Sequence, residues 1–194
     1  MEQKFLVFAA VIFALAFVLP TADYLSWAAK GFVLLFVMPA AFVLAYRKKL
    51  SGFGFAFGNI RISLIFTIGF ILVSIPVLIY YSGSPDFRLY YSNQAAGFDF
   101  LSAGLLLFLN FLGIEFFFRG FLIKLLQERF GFMHAVLLQS FLYMIVHIGK
   151  PLPELVLSFF AGIIFGYIAL KAKSILPSLA SHYSLAVIFS LLMT

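Results

Sequence analysis

The run LSAGLLLFLNFLGIEFFFRGFLIKLL, residues 101–126, decides the fold. At about 1.5 Å per residue, a helix of this length exceeds the roughly 30 Å hydrocarbon core of a bilayer. Inside it Glu115 and Arg119 stand one helical turn apart, on one face, close enough to pair. A charge at the centre of a span costs roughly 2.5–3.5 kcal/mol on insertion scales, and is seldom kept without a partner or a task. Two readings of the pair are open. One is a salt bridge that lets both charges tolerate a bundle interior. The other is a general base in a low-dielectric cavity, its carboxylate positioned by the arginine.

The rest of the chain is of the same kind. Of its 194 residues, 64% are hydrophobic and 10% charged, against roughly 45–50% and about 25% in soluble domains. A soluble globule could not hide so much apolar surface, so lipid is the solvent and the fold class is an all-α, polytopic membrane helical bundle. Apolar runs lie at Phe5–Leu19, Trp27–Tyr46, Ile62–Tyr81, Phe100–Leu126, Phe132–His147, Leu155–Leu170 and Ile175–Met193, which predicts about seven transmembrane helices. The first run reads as a retained span: its n-region sets an acid against Lys4, and its apolar stretch is long for a signal. Between the second and third lies a Gly- and Phe-rich linker, Leu50–Asn59, expected at the interface. The longest hydrophilic stretch is Ser82–Asp99.

The net charge of +6 does not call for a nucleic-acid partner, because the basic residues flank the apolar runs and anchor their ends. With the N-terminus cytoplasmic, the inner side collects Lys4, Arg47, Lys48, Lys49, Arg61, Lys124, Arg129, Lys171 and Lys173. The outer side keeps Lys30, Arg88 and Lys150, and the C-terminus falls there too. The sequence holds no cysteine, which excludes disulfides, thiolate metal sites and a cysteine nucleophile.

Two more ionisable groups stand in apolar surroundings, His147 and His182. Each alone reads as a capped or satisfied histidine. With Glu115 they form a polar set on three separate helices, able to activate a water directly or, if zinc is present, to bind it through Glu115, His147 and His182. His134 reads as an interfacial residue. Glu154 fits the first turn of a helix started by Pro153, or alternatively a second carboxylate folded toward His147. There is one geometric tension. By helical rise Glu115 lies about 13 Å above Lys124, and His147 about 20 Å up its own helix. Their meeting requires tilted helices or a deep cavity.

These residues resemble the CAAX-protease and bacteriocin-processing (CPBP or Abi) family, which includes the type II CAAX prenyl endopeptidases. The family's Glu-Glu-x-x-x-Arg-Gly reads Ile114-Glu115-Phe116-Phe117-Phe118-Arg119-Gly120 here. Its Phe-x-x-x-His reads Tyr143-Met144-Ile145-Val146-His147, and its His-x-x-x-Asn/Asp reads His182-Tyr183-Ser184-Leu185-Ala186. The likeness covers Leu101 to the C-terminus, giving a motif-free N-terminal part, 1–99, and a CPBP-like core, 100–194. It implies an intramembrane endopeptidase acting on a membrane-associated peptide or protein, with no resident cofactor. Carried over by position, His147 would activate water, His182 would hold the oxyanion, and Glu115 matches the second glutamate, positioned by Arg119; the expectation for this chain is that Glu115 and His147 together activate water.

Two departures follow from the same comparison. Ile114 stands in place of the first glutamate, and Ala186 in place of the oxyanion amide. A general base supplies about 10²–10⁴-fold in rate and an oxyanion donor about 2.7–4 kcal/mol, so substitutes are needed. Ser184 and Glu154 are the auxiliary candidates. The rival readings are a pseudoprotease that binds a membrane peptide without cutting it, and a small transporter using Glu115 and the histidines as a proton relay.

Overall fold

A computed structural model of the protein describes residues 2–91 and 99–193. Helix α1 (Glu2–Val18) is followed by α2 (Tyr24–Phe32), which runs through a π-helical segment (Val33–Val37) into α3 (Met38–Ala45). A 3₁₀ turn (Leu50–Phe53) leads to α4 (Ile60–Ser82) and the short α5 (Pro85–Tyr91). Helix α6 (Phe100–Glu115) continues through a second π segment (Phe116–Leu122) into α7 (Ile123–Phe130). Then come α8 (Phe132–Ile145), α9 (Leu152–Ala172) and α10 (Leu176–Met193). No strand occurs among the described residues.

The expected all-α membrane bundle forms. Five stretches are long and apolar enough to cross a bilayer: Tyr24–Ala45, Ile60–Ser82, Phe100–Phe130, Leu152–Ala172 and Leu176–Met193. The other two expected runs are shorter apolar helices. Helix α1 stops just before Pro20, whose ring disfavours helix in the residue ahead of it. Helix α8 gives way at Val146 to a turn containing Gly149 at φ +95°. The hydrophilic stretch after α4 is partly helical, since α5 lies in it, and its residues 92–98 lie outside those described.

Short side chains start the helices. Asp23 accepts from the Ser26 N–H at 2.7 Å, Asn59 from Ile62 at 3.1 Å, and Asp99 from Leu101 and Ser102 at 3.0 and 3.1 Å. Each bond satisfies a helix-terminal donor. The hydrogen bonds from Ser26 and Ser102 hold the Asp23 and Asp99 carboxyls below the usual carboxylate range.

Helix α2 crosses α6 at glycine. A Cβ on Gly113 would stand 2.3 Å from the Gly31 carbonyl oxygen, so only glycine allows this approach. Asn110 Nδ2 donates to the Trp27 carbonyl across the crossing at 3.0 Å. Beside it, α1, the 3₁₀ turn and the second π segment share an aromatic core. Phe5 and Phe53 pack on Phe121 with ring centroids 6.1 and 5.7 Å apart.

The linker expected at the interface is latched to the turn between α9 and α10. The Asn59 N–H donates to the Ala172 carbonyl at 2.8 Å, and the Ile175 N–H to Gly54 at 2.9 Å. The Ser174 hydroxyl donates to Ala56 at 2.5 Å. Phe53 is buried while Phe55 and Phe57 remain exposed, so the segment is half core and half surface. This latch defines one end of the bundle. At the other end the Tyr24 hydroxyl donates to the Ala103 carbonyl, and Lys30 caps the Leu19 carbonyl at 2.7 Å.

Candidate active site

Glu115 is the last residue of α6, where the α-helical pattern passes into the π segment. Every residue from Phe116 to Leu122 is buried, and Glu115 itself is 0% exposed. Its Oε2 faces Arg119 Nε at 3.4 Å, an i,i+4 ion pair with both side chains sealed from solvent. The guanidinium lies 3.9 Å from the centroid of the Tyr143 ring, with Phe118 and Phe165 each at 5.7 Å. Aromatic faces attract a desolvated cation. The expected salt bridge therefore exists, inside an aromatic cage.

The carboxylate's other oxygen does something further. Glu115 Oε1 accepts from His182 Nδ1 at 2.7 Å. His182 stands about two turns into α10 and keeps 18% of its side chain exposed. Its ring stacks on Phe111 with centroids 3.9 Å apart and planes 19° apart. Since Nδ1 gives its hydrogen to Glu115, Nε2 is the nitrogen that meets the Tyr143 hydroxyl, 3.3 Å away.

His147 lies in the turn after α8 and is 8% exposed. Its Nδ1 is 2.9 Å from the Tyr143 carbonyl oxygen. A carbonyl only accepts, so Nδ1 carries the hydrogen and Nε2 is left as the ring's acceptor. The Tyr143 and His147 rings meet edge to face, with centroids 4.6 Å apart. Arg119, His147 and His182 are thus gathered on Tyr143, and Glu115 joins them through Arg119 and His182. The depth offset between Glu115 and His147 is bridged by that tyrosine, and the carboxylate's direct imidazole partner is His182.

The auxiliary candidates fall elsewhere. Glu154 occupies the first turn of α9. Its Oε1 receives Lys150 Nζ at 2.6 Å and its Oε2 the Tyr91 hydroxyl at 2.5 Å. Burial, and then the Glu154 carboxylate, push the Tyr91 phenol well up from its ordinary value. Ser184 is half-buried, whereas its neighbours Tyr183 and Leu185 line the cavity described next. His134 is exposed beside the Phe130 carbonyl.

A cavity of about 990 Å³ reaches these groups. Phe111, Ile114, Phe118, Tyr143, His147 and His182 line its inner part, and Tyr91, Lys150 and Glu154 line its mouth. Ile114 and Ala186, the two departures from the family pattern, both line it. As to zinc, no three histidine or carboxylate side chains are grouped as metal ligands among the described residues. Glu115 and His182 are bonded to each other, and the Tyr143 side chain stands between His182 and His147.

Two contributors escaped the reading of the sequence. Tyr143 was visible only as the motif aromatic, yet its hydroxyl, ring face and carbonyl each hold a different site residue. Phe111, which braces His182, stands one turn before Glu115; that i,i+4 spacing is the signal that would have found it.

Searches among curated proteins and among solved structures returned no match. The family model described as Type II CAAX prenyl endopeptidase Rce1-like matches residues 96–188. That stretch contains Glu115, Arg119, His147 and His182, and excludes the helices from α1 to α5. Residues 96–188, the part of the chain that carries the candidate site, are thus similar to the Rce1-like type II CAAX prenyl endopeptidases.

Proposed function

We propose that this integral membrane protein is an intramembrane endopeptidase that hydrolyses a peptide bond of a membrane-associated protein at the floor of the cavity. One observation carries the reading: a fully buried carboxylate, bonded to an imidazole at 2.7 Å, beside an open cavity in a stretch that matches a protease-family model. In this reading residues 100–194 are the catalytic core, and residues 1–99 wall the cavity and brace the core.

The chemistry uses the chain's own groups. A water enters between His147 and the scissile carbonyl. His147 Nε2 accepts its proton as the water oxygen attacks the carbonyl carbon, and later hands that proton to the leaving amine. The charge developing on the carbonyl oxygen is met by the proton held between the Tyr143 hydroxyl and His182 Nε2. Glu115, behind His182 Nδ1, orients that ring and balances its charge, as a carboxylate does in a triad. Arg119 keeps Glu115 in place. The contact with His182 thus moves Glu115 in this reading from handling the water, the role expected for it from the sequence, to supporting the oxyanion side.

The test is cleavage of a panel of prenylated and unprenylated membrane peptides by the purified protein in liposomes. The proposal expects cleavage that is lost in Glu115→Gln and His147→Ala while both variants stay folded. A second reading, the pseudoprotease, is favoured by the apolar Ile114 and Ala186 in the cavity wall. It wins if the parent cuts nothing and Ile114→Glu with Ala186→Asn creates activity. Stoichiometric zinc in the pure protein, lost on His147→Ala, would replace the metal-free scheme.

A further inference from the structure

The cavity lies at one end of the bundle. Its wall comes from the start of α2 and α6, the ends of α1, α4 and α10, and the turn between α8 and α9. These are the helix ends remote from the latch of the 54–59 segment on residues 172–175. The basic residues divide between the same two ends. Lys48 covers the Phe5 ring, joining the start of α1 to the loop after α3. Lys171 lies over Phe132 and Tyr167, joining the end of α9 to the start of α8. Arg47, Lys49, Arg61 and Lys173 flank the latch, and Lys124 and Arg129 belong to α7, which runs to the same end.

The mouth has the opposite character. Lys30, Arg88 and Lys150 are its basic residues, and Asp23, Asp86, Asp99 and Glu154 offset them. Lys150 is further neutralised by Glu154 at 2.6 Å. Tyr24, Trp27, Tyr80, Tyr81, Tyr90 and Tyr91 ring this end, as side chains with an apolar body and a polar tip do at a membrane surface. Lys and Arg excess sets which end stays in the cytoplasm, and acidic residues contribute little to that choice.

From this juxtaposition we infer that the cavity opens to the non-cytoplasmic face, and that its substrate is a peptide segment presented at the outer membrane surface. The inference rests on the reading of the cavity as the substrate site, and it adds the side from which the substrate comes. It commits the chain to outward-exposed, membrane-proximal segments, and removes proteins modified and displayed in the cytoplasm from its substrates.

The chain has no cysteine, so single-cysteine variants can be labelled in intact cells without background. A membrane-impermeant charged maleimide is the probe. Asp86→Cys (mouth end, exposed), Ser190→Cys and Ala186→Cys (cavity wall) and Lys173→Cys (latch end) are the positions. The inference expects the first three to label from outside, Ala186→Cys more slowly, and Lys173→Cys to label only after permeabilisation. Labelling of Lys173→Cys from outside would overturn the orientation. Labelling of Asp86→Cys from outside with Ala186→Cys reached only after permeabilisation, or from neither side, would overturn the cavity's opening. Catalysis is not needed for any readout, so a failure to cut peptides and a failure of this inference are separately visible.

Discussion

The two ends of the bundle are built on different principles. At the latch end, backbone donors and acceptors of distant segments are paired, and phenylalanine rings fill the space between α1, the 3₁₀ turn and the π segment. At the mouth end the helices stand apart around a cavity of about 990 Å³, and contacts are made by tyrosine hydroxyls and a partly exposed ion pair. Glu115 and Arg119 sit where the two regimes meet. Dense packing is what holds a sealed charge pair in one geometry. In the proposed reaction, the open side is what would admit water and substrate to the imidazoles beside it. A bundle packed throughout like the latch end would have no site, and one open throughout would have no means of fixing the charges.

The largest way to break this contrast is to strip one charge from the boundary. Glu115→Ala leaves Arg119 buried without its partner, and an expected loss of about 3–5 kcal/mol should appear as a lowered melting temperature in detergent. Glu115→Gln preserves shape, so in the same melt it should lose less than the alanine variant.

Next comes the hydroxyl that joins the two regimes. Tyr143→Phe keeps the ring under Arg119 and restores the family's residue. It is expected to keep the melting temperature and lower kcat by about 10²-fold, with Ala186→Asn recovering part of the loss. Unchanged kcat would remove Tyr143 from the oxyanion side. A third change strikes the packing alone. Gly113→Ala drives a Cβ against the Gly31 carbonyl oxygen, and overpacking should cost about 1–3 kcal/mol, measured by thermal unfolding. The smallest effect belongs to the mouth. Lys150→Met should change stability by less than about 1 kcal/mol, because its partner pair is partly exposed.

The sequence made the membrane bundle legible because hydropathy is additive along a helix, and the 101–126 run alone exceeds bilayer thickness. Caps at Asp23, Asn59 and Asp99 use the residue types expected at helix starts. The shortening of α8 was not legible, since Phe132–His147 is apolar almost throughout and only Gly149 hints at the turn. The family motifs pointed to Glu115, Arg119, His147 and His182 before any coordinates. The pairing among them was hidden, because α6 and α10 are brought together by contacts distributed over both helices. Tyr143 was undervalued for a related reason: a motif records residue type, whereas its part here depends on three different atoms facing three different neighbours.

The π segment has a consequence for how the altered motif is tolerated. A π-helical turn holds one residue more than an α-helical turn would, and each residue rotates the helix surface by about 100°. The residues on the two sides of Phe116–Leu122 are therefore out of step with an unbroken α-helix. Removing one residue from this segment would turn all of α6 relative to α7 and change which neighbour, Ile114 or Glu115, looks toward His182. The widened turn acts as a register setting, and it gives a motif that keeps one glutamate, Glu115, a way to present it to His182.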